Sequence, residues 1–149
     1  MKGQLSTLQY LQDKMQQQTN IIIIDDSKED SYLIKKRLQT LGVNVNIFSF
    51  SSAQEAYNHI YNKSIEVDVQ PEKNIIILDI YMPLMDGFEF VEEFEKLPTN
   101  IQDRYIICAL TSSISKTNRE KISSYQSVKF FLEKPIKTES LLELISNQK

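Results

Sequence analysis

Asp25-Asp26, Asp79, Thr111-Ser112 and Lys134-Pro135 together offer carboxylates, hydroxyls and an amine from which a reactive site could be built. Each alone has an ordinary explanation. An acidic pair ahead of a helix commonly caps it, an aspartate after a strand commonly makes a turn, and a single lysine is usually solvated. As a set they read differently, because three carboxylates converging on one rim repel unless a cation lies between them. Hard oxygen donors suit Mg²⁺, which takes one or two carboxylates together with water and phosphate oxygens. A lysine and a hydroxyl beside it could hold the remaining phosphoryl oxygens by charge-assisted hydrogen bonds. These are the parts of phosphoryl transfer: a nucleophile, a metal and cationic help for the equatorial oxygens.

For those residues to converge, regular elements must carry them to one edge. Ile21 to Ile24 is a continuous β-branched run, as in a strand covered on both faces. Ser27 with Asp30 resembles a capping box for a helix that turns Ile34, Leu38 and Leu41 inward and stops at Gly42. A second strand reads from about Val43 to Phe48, and Ser52 with Glu55 opens a helix carrying Ala56, Tyr57 and Ile60. The polar stretch from Tyr61 to Lys73 reads as a long loop. Asn74 to Leu78 is the third strand, and Phe90, Val91, Phe94 and Leu97 mark a helix ended by Pro98. Tyr105 to Leu110 and Val128 to Leu132 are two further strands, separated by a weak polar helix from Ser115 to Ser124. The last helix runs from Thr138 to Ile145.

Five short strands alternating with helices predict an α/β fold with a five-stranded parallel sheet and helices on both faces. Right-handed crossovers then require the winding to reverse once, giving a doubly wound sheet. Ligands of such sheets sit beyond the carboxyl ends of the strands, near the reversal. Asp25, Asp26, Asp79, Thr111, Ser112 and Lys134 all follow strands.

The chain of 149 residues suits one domain, large enough to bury a core without a disulfide or metal staple. A net charge of −3 with no basic block gives no support for nucleic-acid or anionic-membrane binding. Cys108 lies in an apolar run and reads as a core side chain, and a lone cysteine permits no disulfide within the chain. Residues 1–19 form a glutamine-rich extension in which Leu5, Leu8, Leu11 and Met15 fall at helical spacing; so short a helix needs a surface to pack on. Residues 20–149 form the folded domain. The start of the chain lacks the apolar core of a secretory signal, and no apolar run approaches the ~18 residues of a membrane span. The expected location is the cytoplasm.

The stretches Ile21-Ile22-Ile23-Ile24-Asp25-Asp26, Asp79-Ile80-Tyr81-Met82-Pro83-Leu84-Met85-Asp86-Gly87, Ala109-Leu110-Thr111-Ser112 and Phe131-Leu132-Glu133-Lys134-Pro135 occur in an order that resembles the receiver domains of two-component response regulators, the CheY-like family with a flavodoxin-like (βα)5 fold. The resemblance runs from about Asn20 to the C-terminus. It implies a stand-alone signalling domain, not an enzyme in the ordinary sense, that accepts a phosphoryl group on Asp79 from a histidine kinase or histidine phosphotransfer protein. By the same resemblance, Asp26, Asp79 and the backbone carbonyl of Tyr81 would hold Mg²⁺ directly, and Asp25 would help through water. Lys134 would pair with the phosphoryl group beside Thr111 and Ser112, Thr111 being the switch hydroxyl and Phe131 the switch aromatic. A cis peptide is usual at Lys134-Pro135. Tyr81 and Ser113 occupy the two positions that tune phosphoryl lifetime, and a bulky Tyr81 could shield the acyl phosphate. With no output domain after the last helix, the expected output is contact with a downstream protein or a second copy, through the surface running from Ser115 to Ile145.

Other readings leave different traces. A haloacid-dehalogenase-like phosphohydrolase needs a second acid two residues beyond its nucleophile, where Tyr81 stands. A nucleotide-binding module needs a glycine-rich phosphate loop, and neither usual pattern occurs. A pseudo-receiver that binds partners without phosphorylation would be expected to lack an acid, the threonine or the lysine. His59, on the second helix, reads as a surface or packing residue. Asp68, Asp86 and Glu133 read as turn or surface acids, and Phe88, Phe90 and Phe94 as core.

Overall fold

A computed structural model describes residues 19–66 and 73–146; residues 1–18 of the glutamine-rich extension, Asp68 and Pro71 lie outside the described residues, and Thr19 already belongs to the first strand. The elements run β1 (Thr19–Ile24), α1 (Lys28–Leu41), β2 (Val45–Phe50), α2 (Ala53–Ser64), β3 (Lys73–Asp79), α3 (Gly87–Phe94), α4 (Thr99–Gln102), β4 (Tyr105–Thr111), α5 (Lys116–Ser124), β5 (Val128–Glu133) and α6 (Thr138–Ser146). Every strand pairing is parallel, in the order β2-β1-β3-β4-β5. The winding therefore goes from β1 out to β2, returns to β3 and continues to β5. This is the doubly wound sheet that the alternation predicts, with its reversal between β1 and β3.

Successive strand residues point to opposite faces, which divides the core in two. Ile22, Ile24, Ile76, Leu78, Ile107 and Ala109 pack with residues of α2, α3, α4 and α5, including Ala56, Ile60, Phe90, Phe94 and Ile122. Ile21, Ile23, Ile75, Ile77, Cys108 and Leu110 pack with Ile34 and Leu38 of α1 and with Leu141 and Leu144 of α6. Burial on both faces is why β1 and β3 are isoleucine runs, whereas the edge strands β2 and β5 mix partly buried with exposed residues. Burying one such isoleucine stabilises the fold by roughly 1.5–3 kcal/mol. It also pushes the Cys108 thiol up to about 12, so that side chain stays protonated and inert.

The strands end level because they begin level. At the amino edge of the sheet Asn46 donates to Asn20 (3.1 Å), Asn20 to Asn74 (3.0 Å), and Asn74 to the Arg104 carbonyl (3.0 Å). These three asparagines occupy matched register positions in β2, β1 and β3. A one-residue slip would strand buried amides, so the ladder specifies the register that aligns the opposite rim.

Some boundaries differ from the sequence pattern. β2 begins at Val45, two residues later than expected, because Gly42 caps α1 at φ 67° and the chain needs Val43 and Asn44 to leave the cap. α2 runs through Ser64, so Tyr61 to Ser64 are helix and not loop; Tyr61 stacks on Tyr57 one turn earlier, with ring centroids 6.3 Å apart. α3 begins at Gly87, three residues before Phe90, because Asp86 is its N-cap. The Asp86 carboxylate accepts from the Glu89 N–H and the Glu89 side chain accepts from the Asp86 N–H. The short turn α4 follows Pro98 and was not legible in the hydrophobic spacing.

Gly87 has a reason in close approach. A Cβ there would lie 2.7 Å from Ile80 Cα, and the Gly87 N–H donates to the Ile80 carbonyl at 2.8 Å. This contact holds the start of α3 against the residue that follows Asp79.

Candidate functional site

Ile24 of β1 lies opposite Leu78 of β3, so the residues after them, Asp25 and Asp79, leave the sheet side by side at the winding reversal. Asp25 is 3% exposed and Asp79 6% exposed, whereas Asp26 is open to solvent. Carboxylate oxygens of the three lie within 4.8 Å of one another. Asp25 is held by its N–H to the Phe50 carbonyl (3.0 Å), and its Oδ1 accepts from the Ser27 N–H (2.9 Å). Asp79 Oδ1 accepts from the Tyr81 N–H at 3.4 Å.

Lys134 approaches from β5. Its N–H donates to the Thr111 carbonyl at 2.8 Å, and the Lys134–Pro135 peptide is cis. Its Nζ lies 2.8 Å from Asp30 Oδ2, 2.9 Å from Asp25 Oδ2 and 3.6 Å from Asp79 Oδ2. The buried Asp25 Oδ2 is therefore ion-paired with the Lys134 ammonium.

The electrostatics follow from crowding. Burial raises the Asp79 pKa first, and repulsion from Asp25 adds to it. Lys134 and the Tyr81 N–H pull the other way, Asp26 pushes up again, and the result is a carboxyl at about 7. For Lys134 burial favours the neutral amine, but the adjacent Asp30, Asp25 and Asp79 more than reverse this and hold its pKa above the ordinary lysine value.

The remaining residues line the neighbouring rim. Thr111 is buried at the end of β4, and its hydroxyl donates to the Ser113 carbonyl at 3.1 Å, not to the acidic cluster. Ser112 and Ser113 are exposed. Phe131 is partly buried against the face shared by α2 to α5, with the Arg119 guanidinium 4.8 Å from its ring centre. Tyr81 is 45% exposed, and its hydroxyl accepts from Asn118 Nδ2 on α5 at 3.1 Å. His59 packs between Phe48 and Phe50, ring centroids 5.1 and 5.2 Å away, and takes no part in the cluster. Phe88, Phe90 and Phe94 are core residues, and Glu133 is exposed at the end of β5.

Two residues at the site escape the sequence pattern. Asp30 looks like half of a capping box with Ser27. Ser27 Oγ does accept from the Asp30 N–H (3.2 Å), but the Asp30 carboxylate turns to Lys134. Asn118 looks like one more polar residue of a weak helix. No local signal marks either, because their partners lie 104 and 37 residues away.

Chemically, three carboxylates with oxygens within 4.8 Å of one another are a set that could hold a hard divalent cation. The lysine beside it supplies a cation for an incoming anion. A surface cavity of about 510 Å³ opens instead at the amino edge of the sheet, lined by Glu95, Gln102, Tyr105, Ser127 and Phe130 among others, and contains none of these groups.

Residues 21–146 match the family model of the response regulator receiver domain. Among curated relatives, hybrid signal transduction histidine kinase D of Dictyostelium discoideum is 32% identical over 105 residues, which is 68% of this chain but 6% of that protein. Response regulator Rcp1 of Synechocystis sp. is 27% identical over 106 residues, 71% of this chain and 69% of that protein. The chain thus spans a small fraction of the kinase's length. A solved response regulator receiver protein from Dyadobacter fermentans superposes with a TM-score of 0.71 at 28% identity, covering 85% of this chain and 94% of that one.

Proposed function

The chain belongs to the response regulator receiver family, a signalling module of two-component systems, and on that premise we propose that it accepts a phosphoryl group on Asp79. The observation that carries this reading is the meeting of Asp79 with Asp25, Asp26 and Lys134 at the carboxyl edge of the sheet. Asp25, Asp26 and Asp79, with the Tyr81 backbone carbonyl, would hold Mg²⁺; when bound, the ion would offset the charge of an incoming phosphoryl group. The all-oxygen set of three crowded carboxylates fits such an ion.

The chain's own residues do the rest. An ionised Asp79 oxygen bonds to the donor's phosphorus as the bond from phosphorus to the donor's imidazole nitrogen breaks, and the electron pair leaves with that nitrogen. Lys134 moves from its carboxylate partners to an oxygen of the transferred group. The Thr111 hydroxyl leaves the Ser113 carbonyl and donates to another oxygen of that group, with Ser112 beside it, and the shift is passed to Phe131. Tyr81 and Ser113 tune how long the aspartyl phosphate lasts. The donor is a histidine kinase or histidine phosphotransfer protein in the cytoplasm, and the changed surface from Ser115 to Ile145 meets a downstream protein or a second copy.

Intact mass after incubation with Mg²⁺ and acetyl phosphate tests the reading. One added phosphoryl group is expected, and it should be lost with a chelator and in Asp79→Asn. A folded, Mg²⁺-binding protein that gains no mass even from phosphorylated histidine phosphotransfer proteins would instead be a phosphorylation-independent interaction module.

A further inference from the structure

The Tyr81–Asn118 hydrogen bond joins the loop after β3 to the first turn of α5. Tyr81 lies on the loop after β3, two residues beyond the acceptor, and its N–H touches Asp79 Oδ1. Asn118 lies in the first turn of α5, and its own N–H is fixed to the N-cap Ser115 Oγ at 3.2 Å. Ser115 in turn follows Thr111 by four residues, along the loop that leaves β4. Because β3 and β4 are neighbours, with Asp79 opposite Leu110, the Tyr81 side chain spans that side of the rim and ends on α5. Free of the bond, a tyrosine 45% exposed would swing into solvent.

We propose that Asn118 is a positioning residue that holds Tyr81 across the rim and so slows hydrolysis of the aspartyl phosphate. The inference rests on the acceptor role of Asp79 argued above. In hydrolysis a solvent water oxygen bonds to phosphorus as the phosphorus–oxygen bond to Asp79 breaks. The electron pair stays with the carboxylate, and both water protons leave on the phosphate as H2PO4⁻. The water must come in roughly in line, from the open side of the rim. A ring pinned between the β3 loop and α5 narrows that approach, and an exposed hydrogen bond favours the pinned position by about 2- to 10-fold.

The test is a decay measurement by intact mass. Protein loaded from acetyl phosphate and Mg²⁺ is freed of donor, and the phosphorylated fraction is followed for wild type, Tyr81→Phe, Asn118→Ala and the double variant. Both single variants are expected to lose phosphoryl about 2- to 10-fold faster than wild type, with unfolding midpoints unchanged. The double variant is expected to decay no faster than the faster single one, since both remove the same bond. Unchanged or slower decay in the single variants, or effects that multiply in the double, would overturn the proposal. If wild type never gains the mass, the acceptor reading itself fails, which is a different result from loading followed by unaltered decay.

Discussion

The Lys134 ammonium stands 2.8 Å from the Asp30 carboxylate, nearer than the 3.6 Å that separates it from Asp79. In this state the lysine that would receive a phosphoryl oxygen is tied to the first turn of α1. The tie is modest, since Asp30's side chain is 41% exposed, and a pair of that kind contributes about 0.2–1 kcal/mol. Asp30→Asn should therefore release Lys134 and speed phosphorylation by acetyl phosphate about 1.5- to 5-fold, with little change in unfolding free energy. Slower phosphorylation would mean that Asp30 aims the lysine and does not restrain it.

Acidity gives a second expectation. In the metal-free fold the Asp79 carboxyl is raised from an ordinary 3.8 to about 7, chiefly by burial and by Asp25. The folded chain then binds more protons than the unfolded chain between those values, so this group's contribution to stability falls as pH rises through the window and levels off above about 7. His59 acts oppositely, because burial lowers its pKa and acid must charge a packed ring. Urea unfolding of wild type and Asp79→Asn, with chelator present, separates the two. Asp79→Asn should be more stable than wild type at pH 8, and the advantage should shrink toward pH 5. A constant difference across that range would refute the assignment.

Divalent metal should reverse the same repulsion. Mg²⁺ at a hundred times its dissociation constant is expected to stabilise the wild type by about 2.7 kcal/mol, reversibly on adding chelator. Asp26→Ala should abolish most of the gain, as followed by the unfolding midpoint. An equal gain in both proteins would put the ion elsewhere.

Gly87 offers a test of how α3 supports the site. An alanine Cβ would meet Ile80 Cα at 2.7 Å, a backbone atom that cannot step aside alone. Gly87→Ala should cost about 1–3 kcal/mol of stability and disturb the amide signals of Ile80 and Tyr81 beside Asp79. Wild-type stability in the variant would show that the contact relaxes freely.

Much of this protein is determined by sequence alone. Isoleucine runs such as Ile21 to Ile24 read as strands buried on both sides, and five strands alternating with helices point to a doubly wound sheet. In such a sheet residues directly after strands share one rim, so the meeting of Asp25, Asp26 and Asp79 was legible without coordinates. What the tertiary structure decided depends on partners far along the chain. Asp30 faces Lys134 across 104 residues, and Tyr81 faces Asn118 across 37, because α1 meets the end of β5 and the β3 loop meets α5. The face taken by Phe131 was decided in the same way. Between Ile107 and Cys108 of β4 the partner in β5 jumps from Val128 to Phe130, a bulge at Lys129 that turns Phe131 toward Ala109 and Arg119. One extra residue in a strand reverses which side every later side chain occupies, and only the pairing with a neighbouring strand shows whether that residue is there.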